Sequence, residues 1–148
     1  MQKLNFSIEI NAPVNKVWDI MLDDETYRVW TSVFTVGSHI NGSWDKGSKI
    51  QFLAPDENGK MSGMTSMVIE NIHNKFISIQ HLGVVSDGVE DLKSKAAIDW
   101  RGFENYTFTD RGTQTELIIE VDVKEEYKGY FVETWPKALE KLKDLAEN

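Results

Sequence analysis

The stretch from Tyr127 to Asn148, YKGYFVETWPKALEKLKDLAEN, decides how the rest of the chain is read. At helical spacing Phe131, Trp135, Ala138, Leu139, Leu142, Leu145 and Ala146 share one face, while Glu133, Lys137, Glu140, Lys141 and Asp144 occupy the others. The spacing predicts one long amphipathic helix. Just before it, Thr115, Leu117, Ile119, Val121 and Val123 alternate with Glu116, Ile118, Glu120 and Asp122, the pattern of a strand with one buried face. A half-buried sheet and a helix with one apolar stripe bury those surfaces against each other, so the expected architecture is a curved sheet holding the helix on its concave side. Pro136 cannot donate to the carbonyl of Val132 and disfavours helical geometry at Trp135. Two arrangements satisfy that constraint: a kink beside Trp135 that shapes the mouth of a pocket, or a main helix that begins there with Trp135 in the core.

At the other end, Leu4, Phe6, Ile8 and Ile10 alternate with Asn5, Ser7, Glu9 and Asn11, which predicts a first strand. Pro13 starts a short helix carrying Val14, Val17, Trp18, Met21 and Leu22, and Asp24 is positioned to cap a second with Tyr27, Trp30 and Phe34. From Gly37 onward, Gly42, Gly47, Pro55 and Gly59 punctuate the chain at the spacing of short strands. Strands are expected near Gly42 to Trp44, Ser48 to Leu53, Gly63 to Ile72 and Phe76 to Leu82, and again from about Ala96 to Thr109. The acidic segment Gly83 to Ser94 reads as a loop, either a lid or a solvated connection, and Arg111-Gly112 as a hairpin turn. The predicted fold is therefore α+β: an antiparallel sheet of six to seven strands around the carboxy-terminal helix, with two short helices after strand one, in one domain over residues 1–148.

A chain of 148 residues can bury roughly 70% of its unfolded surface, enough for one core. Its net charge of -8 argues against a nucleic-acid backbone or an anionic membrane as principal partner. Cysteine is absent, which excludes disulfides, thiol catalysis and thiolate metal sites. Met1 to Ile10 lacks the basic flank and apolar block of a signal peptide, and no apolar run approaches a bilayer span, so the expected location is the cytoplasm with no membrane insertion.

Ile10-Asn11-Ala12-Pro13 followed by Val17-Trp18 resembles the opening of helix-grip domains of the START-like (SRPBCC), birch-pollen-allergen-like superfamily. Gly42-Ser43-Trp44 with Gly47, Gly112-Thr113, and Gly129 with Trp135-Pro136 extend the resemblance over nearly the whole chain. It is most similar to the subgroup named after the activator of the heat-shock protein 90 ATPase. The superfamily includes lipid and hormone binders, polyketide aromatases and cyclases, and co-chaperone domains, so the resemblance implies a fold and a set of functions. The Ser-Gly-Leu-Pro-Ala gate of the plant hormone receptors has no counterpart here, nor does the extra amino-terminal domain of the eukaryotic co-chaperone.

Strand parity yields the candidate site. Tyr106 and Phe108 mark an apolar face to which Glu104 belongs, and Trp100 too if the strand is regular that far; Ile77 and Ile79 share parity with His81. If these strands are neighbours, His81 and Glu104 face each other inside the concavity, as polar anchors for an apolar ligand or as an acid-base couple. The alternative reading is that each is satisfied separately, by backbone, water or a rim position, because a bulge between Trp100 and Glu104 would flip the parity. Trp30, Trp44, Phe52, Trp100, Tyr106 and Trp135 are the expected lining. His39, His73 and His81 lack metal-site spacing, and no phosphate loop or nucleophile elbow is present, so neither cofactor nor catalytic residue is assigned. The leading expectation is a non-enzymatic binder of a small apolar or amphipathic molecule. The alternatives are a chaperone-linked interaction module and an aromatase or cyclase-type enzyme.

Overall fold

Alternation along the first segment builds β1 (Gln2–Ile10), an edge strand of an open antiparallel sheet, with Leu4, Phe6 and Ile8 packed on the core and Ile10 fully buried in it. The computed structural model describes residues 1–148. After Pro13, α1 (Val14–Leu22) buries Val14, Val17, Trp18, Met21 and Leu22. Extended backbone at Asp23 interrupts the helix, and α2 (Asp24–Trp30) follows, continued by a 3-10 turn at Thr31–Val33. The cap position thus falls on Asp23, one residue before the expected Asp24. The Trp30 indole donates to the carbonyl of Met21 at 3.1 Å and ties the two helices together.

The remaining strands are β2 (His39–Gly42), β3 (Lys49–Pro55), β4 (Met61–Ile72), β5 (Phe76–Ser86), β6 (Val89–Asp91), β7 (Phe103–Asp110) and β8 (Thr115–Val123). The spatial order is β1-β8-β7-β5-β4-β3-β2. One edge of β5 is shared: β7 pairs with Phe76 to Gln80, and β6 with Val84 to Ser86. A short helix, α3 (Lys95–Asp99), spans the interval between β6 and β7.

Three local expectations are corrected. β2 ends at Gly42, so Trp44 lies in a loop. Gly42 has φ +128, and a Cβ there would lie 2.5 Å from the carbonyl oxygen of Lys49, which only glycine tolerates. The supposed loop from Gly83 is largely strand, because Asp87 and Gly88 both take positive φ and close a tight hairpin into β6. The segment from Ala96 begins as helix rather than strand, since the Ser94 hydroxyl accepts from the Ala97 amide and caps α3. Trp100 therefore sits at the carboxy end of a helix, not in β7.

The last segment forms α4 (Lys128–Glu147), which buries Trp135, Ala138, Leu139, Leu142 and Ala146. They join one core cluster with Ile10, Val17, Met21, Trp30, Leu117 and Ile119. Pro136 lies inside α4 and does not begin it. Val132, whose carbonyl loses its amide partner, is exposed, so water can satisfy it. No helix is long and apolar enough to cross a membrane.

Truncating Leu142, which is fully buried, to alanine should cost about 2–5 kcal/mol in urea unfolding, whereas Val132→Ala on the outer face should stay within about 0.5 kcal/mol. Equal effects would contradict this packing of α4.

Candidate functional site

Three neighbouring strands supply the polar floor of a cavity. In β5–β7 pairing Ile77 stands opposite Tyr106 and Ile79 opposite Glu104, so His81, two residues on, reaches Glu104 diagonally. Its Nε2 lies 3.4 Å from Glu104 Oε1, and the two side chains are only 13% and 20% exposed. The His81 amide donates to the carbonyl of Gly102 at 2.9 Å and fixes the strand there. On the other side the register shifts: Thr65 pairs with Gly83 but Ser66 with His81, leaving Leu82 as the extra residue of a bulge. Ser66 Oγ is then 2.7 Å from His81 Nδ1. The Arg101 side chain donates to the freed carbonyl of Leu82 at 3.2 Å and to that of Leu92 at 3.0 Å.

The second oxygen of Glu104 accepts a hydrogen bond from the Tyr106 hydroxyl. Burial raises the pKa of Tyr27 and of Tyr106, and the Glu104 charge raises both further, so the two phenols stay protonated around the carboxylate.

Above this floor is a cavity of about 400 Å³ between the sheet on one side and α2, the 3-10 turn and α4 on the other. Seven of the eight expected residues line it: Trp30, Phe52, His81, Trp100, Glu104, Tyr106 and Trp135. Trp135 stands 6.0 Å from Trp30 and 5.1 Å from Phe34 between ring centroids, so aromatic faces close the helical wall. Trp44 is the exception, and its place in the lining is corrected: the loop after Gly42 carries its indole to the carbonyl of Leu22 at 3.1 Å, where it backs Tyr27 and Phe52. Tyr27, Phe34, Met64, Val121, Val123 and Phe131 also line the cavity and were not anticipated there. Helical spacing held a signal for two of them: Tyr27 is three residues before Trp30, and Phe131 four before Trp135.

Ser66, His81 and Glu104 stand in the order of a hydroxyl, an imidazole and a carboxylate, as in a nucleophilic relay. Access rules that chemistry out. Ser66 is fully buried and absent from the cavity wall, so no substrate reaches its oxygen. What faces the cavity is the carboxylate end, an acceptor set among aromatic rings. No group of three or more His, Asp or Glu side chains is arranged to hold a metal.

The family described as Activator of Hsp90 ATPase homolog 1-like protein matches residues 11–147. No curated protein matches the chain. Among solved structures it is similar to the Aha1 dimer from Colwellia psychrerythraea at 20% identity, over 99% of this chain and 97% of that one, with a TM-score of 0.72. A protein from Cytophaga hutchinsonii is 18% identical over 100% of this chain and 95% of its own, with a TM-score of 0.73. One from Mesorhizobium loti is 18% identical over 97% and 96%, with a TM-score of 0.72. At these identities the likeness establishes the helix-grip fold.

Keeping two phenols neutral ties stability to pH. Both folded values are raised above the unfolded value of 10.0, so the stabilisation is complete below pH 10.0 and is lost as pH climbs above it. In an alkaline titration, the tyrosinate absorbance of Tyr27 and Tyr106 should appear only together with loss of the circular dichroism of the fold. The Tyr27→Phe/Tyr106→Phe double variant should lack that joint step.

Proposed function

The chain belongs to the Activator of Hsp90 ATPase homolog 1-like protein family, and we propose that it is a non-enzymatic binder of a small hydrophobic or amphipathic molecule held between the sheet and α4. One observation carries this reading: a single half-buried carboxylate, Glu104, at the floor of an aromatic-walled cavity of about 400 Å³. Small-molecule sites combine an apolar majority of surface with a few placed polar groups, and their volumes run from about 300 to 1,000 Å³. The apolar walls supply the affinity and the floor supplies orientation. His81, steadied by Ser66, and Tyr106 hold Glu104 in place, which favours a fixed anchor over a group that moves during a reaction.

A second reading, docking of a chaperone or another protein, draws on the family description and on exposed Tyr127, Tyr130 and Val132 near the start of α4. Two of these three support the cavity instead. The Tyr127 ring is 5.1 Å from that of Trp100, and the Tyr130 hydroxyl donates to the carbonyl of Phe34 at 3.2 Å. Both partners line the cavity, so the exposed aromatics form part of its rim.

Ala54 shares the face of β3 with Phe52 and lines the cavity, so Ala54→Phe places a ring in the space. Isothermal titration with 1-octanol should give saturable binding to the wild type, weakened at least about tenfold in Ala54→Phe, with both proteins unfolding at similar urea concentrations. Equal binding to both, or none to either, would count against occupation of this cavity.

A further inference from the structure

We propose that the molecule this cavity takes is a cationic amphiphile, an apolar body bearing a protonated amine, with its ammonium group seated on Glu104. The inference rests on the cavity-binding reading above and specifies its chemistry from the charges that surround the space.

Among the side chains lining the cavity there is no lysine and no arginine. The two cations adjoining the lining residue Trp100 are engaged elsewhere. Lys124 lies 5.5 Å from the centre of the Trp100 ring and pairs with Glu126 at 3.2 Å. Arg101 is tied to the carbonyls of Leu82 and Leu92. Nothing is therefore placed to neutralise an anionic headgroup, although a binder of fatty acids or other carboxylates needs such a group.

Three acidic residues contribute to the lining, and they play different parts. Asp122 alternates with inward Val121 and Val123, so its carboxylate turns to the other face, where it meets Lys3 at 3.5 Å and the Phe103 amide at 2.8 Å. Asp56 sits at the exposed rim, with one oxygen accepting from the Asn58 and Lys60 amides. Glu104 alone lies on the floor. With His81 neutral the floor carries one negative charge, and with His81 protonated it carries none; in neither state is it positive.

Glu104 also has acceptor capacity to spare. A carboxylate offers about four lone-pair directions, and the Tyr106 hydroxyl and His81 occupy two. An ammonium brings three donors and no acceptor, which matches such a site. A ligand carboxylate brings only acceptors, and it would confront Glu104 directly. The rings of Tyr27, Trp30, Phe52 and Tyr106 around this floor add faces that attract a cation and repel an anion. The net charge of -8 over the whole chain draws cations toward the protein from solution.

The test compares three probes of one tail length on the full chain: n-octylammonium, 1-octanol and octanoate, titrated at neutral pH by calorimetry. The wild type should bind the amine at least about tenfold more tightly than the alcohol, and octanoate more weakly than either. Glu104→Gln should remove the advantage of the amine over the alcohol, both measured on that variant, and Ala54→Phe should weaken the amine, which separates the cavity from adsorption on an acidic surface. Octanoate binding as tightly as the amine, or an amine preference that survives in Glu104→Gln, overturns the assignment while octanol binding keeps the cavity reading intact. Binding of no probe overturns both. The ranking of the three probes on wild type needs no variant, so the assignment remains testable even if Glu104→Gln fails to fold.

Discussion

The structure depends on how α4 rests on the sheet. Its carboxy-terminal half presents Ala138, Leu139, Leu142 and Ala146, whose small members let the helix come close to the strands, and these residues merge into the same buried cluster as Ile10, Leu117 and Ile119. Its amino-terminal half presents Phe131 and Trp135, and only these two residues of the helix reach the cavity. Large rings cannot interdigitate as closely as alanines, so the helix is anchored at one end and propped at the other. The cavity is a consequence of that difference, with α2 and the following turn closing its side through Trp30 and Phe34.

Within this frame the polar row across β4, β5 and β7 has a direction. Ser66 is fully buried on the same inward face, His81 lies between, and Glu104 reaches the open space. A relay built for nucleophilic attack would expose its hydroxyl end and bury its carboxylate. Here the order is reversed, so the buried hydroxyl serves to hold the imidazole and the imidazole flanks the carboxylate. On the proposed reading, a carboxylate among aromatic rings without a lysine or arginine beside it would select chiefly by charge, because its neighbours tolerate many apolar shapes and its own sign does not.

Much of the fold was legible in the residues because it is governed by local periodicity. The helical stripe from Phe131 to Ala146 and the alternations of β1 and β8 carried over closely, as did the inward parity of His81 and Glu104. The errors fell where a backbone feature outweighed side-chain pattern. Asp87-Gly88 is a strong hairpin signal hidden within an acidic run that reads as loop, and Ser94 caps a helix too short for its periodicity to register. Trp44 has the composition of a lining residue, yet it belongs to a loop whose course is set by Gly42.

The sequence by itself determined the opening strand and two short helices, the closing amphipathic helix, the inward faces of β1 and β8 and the absence of thiol chemistry, since each follows from residue type and spacing along the chain. Only the tertiary structure decided that His81 and Glu104 meet, that Ser66 lies behind them out of reach, and that no lysine or arginine lines the space they share. Those facts depend on strand order, on a one-residue bulge at Leu82 and on where each long side chain finds its partner. They are distances between residues far apart in the chain, and no local pattern encodes them.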